Sequence, residues 1–186
     1  MAGTYTAAEL SVDVTGEKED LLLLLVDQRA LFKVTLQGIT EEQARQQTTV
    51  STLTLGGLLK HLATGQRGTA KMLVERDADA EMDLTALEDA YDLGADESLP
   101  QWLAEFDRAS AFFDETIAGV ESMDELIPQP TAPWAPDRVW WSVRRVALHL
   151  LRETAHHCGH ADIIREALDG QSTMAAISGD FEWPEE

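Results

Sequence analysis

The sequence predicts an all-α fold, a four-helix bundle, on three observations. Apolar residues recur at helical spacing in four long stretches, N-capping signals stand before several of them, and no stretch holds the two-residue alternation of a strand. Two long connections separate the second, third and fourth stretches, as a bundle with crossover loops requires.

Residues 1–16 are small, polar and weakly patterned, and read as an N-terminal arm that packs loosely or reaches a partner subunit. The first helix is expected over about residues 17–37, where Leu21, Leu24, Leu25, Leu31 and Val34 recur at helical spacing and Gly38 supplies a terminator. Thr40 to Gln43 form an S/T-x-x-E/Q capping box that opens a short helix. The second long helix starts after Ser51 or Thr54 and continues to about Asp77. It carries His61, with Leu58, Gly65, Gly68 and Met72 one or two turns away on the same side. Each glycine inside a helix costs about 1 kcal/mol against alanine, so the pair beside His61 signals either room for something or close helix packing.

From residue 78 to 97 the chain is acidic with little apolar patterning, and reads as a long solvated connection with one helical turn. Ser98-Leu-Pro-Gln101 is a second capping-box signal, with the proline in the first turn, where its missing N–H does no harm. It opens a third helix to about Gly119 that buries Trp102, Leu103, Phe106, Phe113 and Ile117. Pro128, Pro130, Pro133 and Pro136 then forbid a regular helix and force an extended crossing. The fourth helix runs from near Ser142 to near Leu168, stopped by Asp169-Gly170. The domain plan is an arm over 1–16, the bundle over 17–170 and a tail over 171–186, read as a surface strap.

Composition narrows the function classes. At 186 residues, 44% hydrophobic and 26% charged, the chain suits one domain with a single sizeable core. A net charge of −20 argues against nucleic acid or an anionic membrane as partner. The leucine run at 21–25 is too short to span a bilayer, and no basic n-region precedes an apolar segment at the N-terminus, so no secretory signal is expected. The single cysteine, Cys158, rules out an intramolecular disulfide and fits a reducing cytoplasm.

The chemistry concentrates between Glu153 and Asp162, where three of the five histidines fall within five residues. At about 100° per residue, His149, Glu153, His156, His157 and His160 share an arc of roughly 100°. Imidazole and carboxylate are ordinary ligands for zinc, nickel or iron. A helix offers two ligands at i and i+4 or i and i+3, and here Glu153/His157, His157/His160 and His156/His160 qualify. Adjacent His156 and His157 diverge by about 100° and cannot both reach one ion. A third ligand must come from another helix, and His61 is the histidine left for it. His149 lies two turns upstream and reads as a hydrogen-bonded core residue. His-Glu-x-x-His is absent, which excludes zinc-protease chemistry. Glu-x-x-His occurs once, at Glu153 and His156, too few carboxylates for a di-iron centre or an iron-storage bundle. Cys158 points about 100° away from His157, lacks a basic partner and reads as a small packed or surface thiol.

Gly56-Gly-Leu-Leu-Lys-His61-Leu-Ala63 and the run from Leu148 to Glu166, with Asp169-Gly170 after it, resemble the DinB-like superfamily, closest to its bacterial branch whose last helix reads Glu-x-x-x-His-x-Gly-His-Ala-Asp. Asp27-Gln-Arg29 and the segment from Gly38 to Ala44 also fit that branch, so the similarity spans roughly residues 21–170. The resemblance implies an up-down-down-up bundle, commonly a homodimer, with a divalent metal, often zinc or nickel, held by three residues at one end. Its first ligand falls on His61 and its second pair on Glu153 and His157. Many members carry histidine where this chain has Glu153, whereas the relatives of mycothiol-dependent maleylpyruvate isomerase carry glutamate. His160 stands where many relatives have glutamine, as a fourth ligand or as a residue behind the ligands.

Characterised members use mycothiol or bacillithiol as S-transferases or isomerases. The resemblance therefore implies a cytoplasmic enzyme in which a metal activates a low-molecular-weight thiol, or a water. The reading set against it is a non-catalytic metal-binding or stress-response bundle. A thiol that stabilises only the metal-loaded form would separate the two.

Overall fold

The computed structural model describes residues 9–178. The outer part of the expected arm, up to residue 8, and of the expected tail, from 179, lie outside the described residues. The chain is mostly helical: α1 (Glu17–Thr35), α2 (Glu41–Arg45), α3 (Leu55–Glu75), α4 (Leu99–Gly119), α5 (Val143–Asp169) and α6 (Thr173–Ser178), with a small antiparallel sheet of β1 (Leu126–Pro128) and β2 (Trp140–Ser142).

The helix starts follow their local chemistry. Thr40 and Gln43 form the full capping box, each side chain bonded to the other's backbone N–H. Thr54, Ser98 and Ser142 accept from the backbone N–H three residues on and so cap α3, α4 and α5. Gly170, at φ 80°, closes α5 in the left-handed conformation that glycine adopts without strain.

Two apolar clusters stack along the four long helices. Leu22 and Leu25, Ala70 and Leu73, Phe113 and Ile117, and Val146 and Leu150 build the first. Phe32, Leu58 and Leu62, Phe106, and Ala161 and Ile164 build the second. Helices α1 and α5 run from the first cluster to the second; α3 and α4 run from the second to the first. A polar layer lies between. Buried Arg29 donates through Nη1 to both carboxylate oxygens of Asp114, at 2.8 and 3.0 Å, and through Nε to Gln66 Oε1 at 2.6 Å. This layer ties α1, α3 and α4 together one turn beyond His61.

Two connections differ from expectation. The proline-rich crossing is extended as expected, but strands flank it: Leu126 pairs with Ser142 and Pro128 with Trp140. Three-residue strands are too short to show a period of two in sequence. Beyond this sheet, Val143 N–H donates to Glu125 O and Arg144 N–H to Met123 O, both at 2.9 Å, which satisfies the first N–H groups of α5.

The acidic connection is the larger difference. It contains the expected single turn, a 3-10 turn at Thr85–Leu87, but it is not simply solvated. Consecutive α3 and α4 run in the same direction, so the chain between them must return about 30 Å, the length of a 21-residue helix. It does so across the outer face of α3, and buried Leu93 joins the second apolar cluster.

Candidate metal centre

His61 on α3 and Glu153 and His157 on α5 converge, each offering a ligand atom within 4.8 Å of the others. His157 is buried, whereas His61 and Glu153 are half-buried. His157 Nε2 lies 3.8 Å from Glu153 Oε2, the spacing expected of residues one helical turn apart. The rings of His61 and His157 meet edge to face with centroids 4.8 Å apart. Three N, N and O ligands around a tetrahedral ion with bonds of about 2.1 Å stand roughly 3.4 Å from one another. The residues present fit such an ion after small side-chain rotations. In zinc sites generally, three protein ligands with one position left open mark catalytic rather than structural centres.

The electrostatics favour the deprotonated forms a cation needs. Burial, helped by neighbouring His61 and His160, pushes His157 down to about 4. Burial also lowers His61, partly opposed by the charge of Glu153. For Glu153 burial acts upward, but the Arg152 hydrogen bond and nearby histidines prevail and hold the carboxyl below its usual range. Arg152 Nη2 donates to Glu153 Oε1 at 2.6 Å, so one carboxylate oxygen is fixed while Oε2 faces His157.

The other histidines take different places. His160 Nδ1 lies 3.3 Å from His157 Nδ1, the ring nitrogen opposite the one facing Glu153, and the grouping of mutually close ligand atoms does not extend to it. His156 is exposed and packs edgewise on His160, with centroids 4.4 Å apart. His149 is hydrogen-bonded as expected, its Nδ1 accepting from Arg152 Nη2 at 2.9 Å, but it is half-exposed beside Trp141 and not in the core. Cys158 donates to Gln28 O at 3.1 Å, and burial pushes its thiol up to about 12, which disfavours the thiolate. Gly65 and Gly68 are exposed with nothing near a would-be Cβ, so they leave open space rather than permit close packing.

Sequence reasoning missed Tyr91. It comes from the acidic connection, stacks on His61 with centroids 4.1 Å apart and planes 17° from parallel, and sets its hydroxyl 3.1 Å from His61 Nε2. The one available signal was that Tyr91 is the sole aromatic residue between 75 and 97. On the Arg152 side of Glu153, an open depression of about 240 Å³ is lined by Trp141, Arg145, Leu148, His149 and Arg152.

In the metal-free protein, stability is expected to fall as pH drops from about 6.5 towards 4. Across that window the unfolded chain takes up a proton that folded His157 does not, so lower pH favours unfolding. Urea midpoints measured stepwise in pH check this, with a shallower dependence expected for His157→Gln.

A family model described as mycothiol-S-transferase matches residues 20–170. Searches of curated proteins and of solved structures return no match. Among the described residues, no helix is long and apolar enough to cross a membrane.

Proposed function

Because the chain belongs to the mycothiol S-transferase family, within the DinB-like superfamily, we propose that it is a metal-dependent enzyme that transfers a low-molecular-weight thiol, mycothiol or bacillithiol, to an electrophilic substrate. The convergence of His61, Glu153 and His157 from two helices carries the reading. When bound, a divalent ion, zinc or nickel, supplies Lewis acidity that lowers the pKa of a thiol or water on its open position. His61 and His157 would hold it as neutral imidazoles and Glu153 through Oε2. Arg152 fixes the other oxygen of Glu153. His160, at the far nitrogen of His157, orients that ring in the manner of groups behind metal-ligating histidines.

The same reading takes the domain to be a four-helix bundle over 17–170 with up-down-down-up order. The direction in which α1, α3, α4 and α5 traverse the two clusters supports it. Its expected setting is a cytoplasmic homodimer.

Protein purified without an affinity tag should contain close to one equivalent of divalent metal per chain. Its Co(II)-substituted form should develop a thiolate-to-cobalt absorption band on addition of mycothiol. Absence of metal, or a spectrum indifferent to thiols, would overturn the proposal.

A further inference from the structure

The return crossing between α3 and α4 lies over the triad, and it is fitted there with some care. A Cβ built on Gly57 would sit 2.0 Å from Tyr91 O and 2.7 Å from Tyr91 C, and one on Gly56 would sit 2.7 Å from Leu93 Cδ2. Bare backbone at both positions lets the connection press against α3 one turn before His61. Lys60, beside His61 and itself buried, donates to Asp92 O at 2.9 Å, Glu97 Oε2 at 3.1 Å and Asp89 Oδ2 at 3.2 Å. The connection is thus pinned on both sides of Tyr91.

What is pinned is the backbone. Tyr91 is 40% exposed, and its ring is held by its stack on His61 and its hydroxyl contact, with His157 at 5.8 Å between centroids. It is not a core residue, yet it stacks on one of the three converging side chains and lies close to a second. A ring so placed can rotate away while its backbone stays anchored. We infer that Tyr91 is the access-determining residue of this centre: its ring closes the side of the triad facing solvent, and an incoming low-molecular-weight thiol must displace it. The inference rests on the triad being a metal centre and adds to it the residue that governs entry.

Two rates on Co(II)-loaded protein test it: removal of cobalt by excess EDTA, and appearance of the thiolate band with 2-mercaptoethanol. Tyr91→Ala should raise both by about tenfold, the upper range of what one aromatic stack holds. Tyr91→Phe keeps the ring and should stay near wild type. Gly57→Ala, whose methyl group evicts the Tyr91 backbone without touching a ligand, should accelerate both. Should Gly57→Ala fail to fold, Tyr91→Ala, at a partly exposed loop position, still decides the matter.

A direct readout exists because the chain has two tyrosines, Tyr5 and Tyr91. In 3-fluorotyrosine-labelled protein the resonance lost in Tyr91→Phe should be shifted by Co(II) and should move again on thiol addition. Bound cobalt with wild-type rates in Tyr91→Ala, or a Tyr91 resonance indifferent to cobalt, overturns the gate alone. Failure of the wild-type protein to take up Co(II) overturns the metal reading as well, so the two failures are distinguishable.

Discussion

Asp114→Ala is expected to destabilise the protein by about 3–5 kcal/mol, the usual cost of leaving one partner of a buried ion pair uncompensated. Arg29 and Asp114 side chains are 5% and 7% exposed, so each charge depends chiefly on the other for its stabilisation. The pair itself is not a strong source of stability. Burial lowers the Arg29 pKa and raises that of Asp114, each only partly opposed by the partner, so desolvation outweighs the attraction. The double replacement Arg29→Met with Asp114→Leu should therefore recover most of the loss. Gln66 Oε1 would then keep its bond from Ser110 Oγ at 3.2 Å. Urea unfolding of the single and double variants checks both statements; a single variant within about 1 kcal/mol of wild type would contradict the burial argument. The layer also matters for the site. Gln66 sits little more than a turn beyond His61, so Arg29 and Asp114 fix the rotation of α3 that turns His61 towards α5.

His61→Ala is expected to abolish metal binding in the useful range and thiol transfer with it, while the helical content stays unchanged. In the proposed centre His61 would be the one ligand from α3, and without it Glu153 and His157 would remain as a pair on a single helix. Partners behind metal ligands typically cost about 10–100-fold in affinity when removed, and a direct ligand costs more. His160→Ala should fall inside that 10–100-fold range if its part is to hold the Nδ1 of His157. Competition of the apo-variants for Co(II) against a chromophoric chelator measures both. Wild-type affinity in His61→Ala would remove the centre as described; equal losses in the two variants would make His160 a ligand.

The parts legible in sequence were those with local causes. Periodicity located α1, and periodicity with caps located α3, α4 and α5, to within a few residues, because the caps of α3, α4 and α5 are set by side chains within one turn. Helical spacing offered three pairs, Glu153/His157, His157/His160 and His156/His160, and the resemblance to the DinB-like superfamily singled out the first. His61 followed because one more imidazole was needed and the other histidines share α5. What escaped depends on contacts between distant segments. The seat of Tyr91 is decided by Gly56, Gly57 and Lys60, far earlier in the chain, and an acidic composition says nothing about where a crossing must run. The same-direction course of α3 and α4 dictates it. His149 was misplaced for a related reason: periodicity gives the direction of a side chain but not where the neighbouring helix ends. The β1–β2 pairing was invisible because three residues carry no period.

The return crossing brings more than a tyrosine to the entrance. Between residues 75 and 97 the chain carries ten acidic residues and a single arginine, and Lys60 neutralises part of that charge. In the proposed centre a ligand approaching on the side of Tyr91 would meet the field of this acidic stretch, which reaches a Debye length, about 8 Å at physiological ionic strength, while Arg145 and Arg152 lie on the other side of Glu153. Such a field concentrates divalent cations at the mouth of the site and slows anions. Under the proposed function a thiol carrying carboxylates would approach on that side more slowly than an uncharged one, by a margin that shrinks as salt is added.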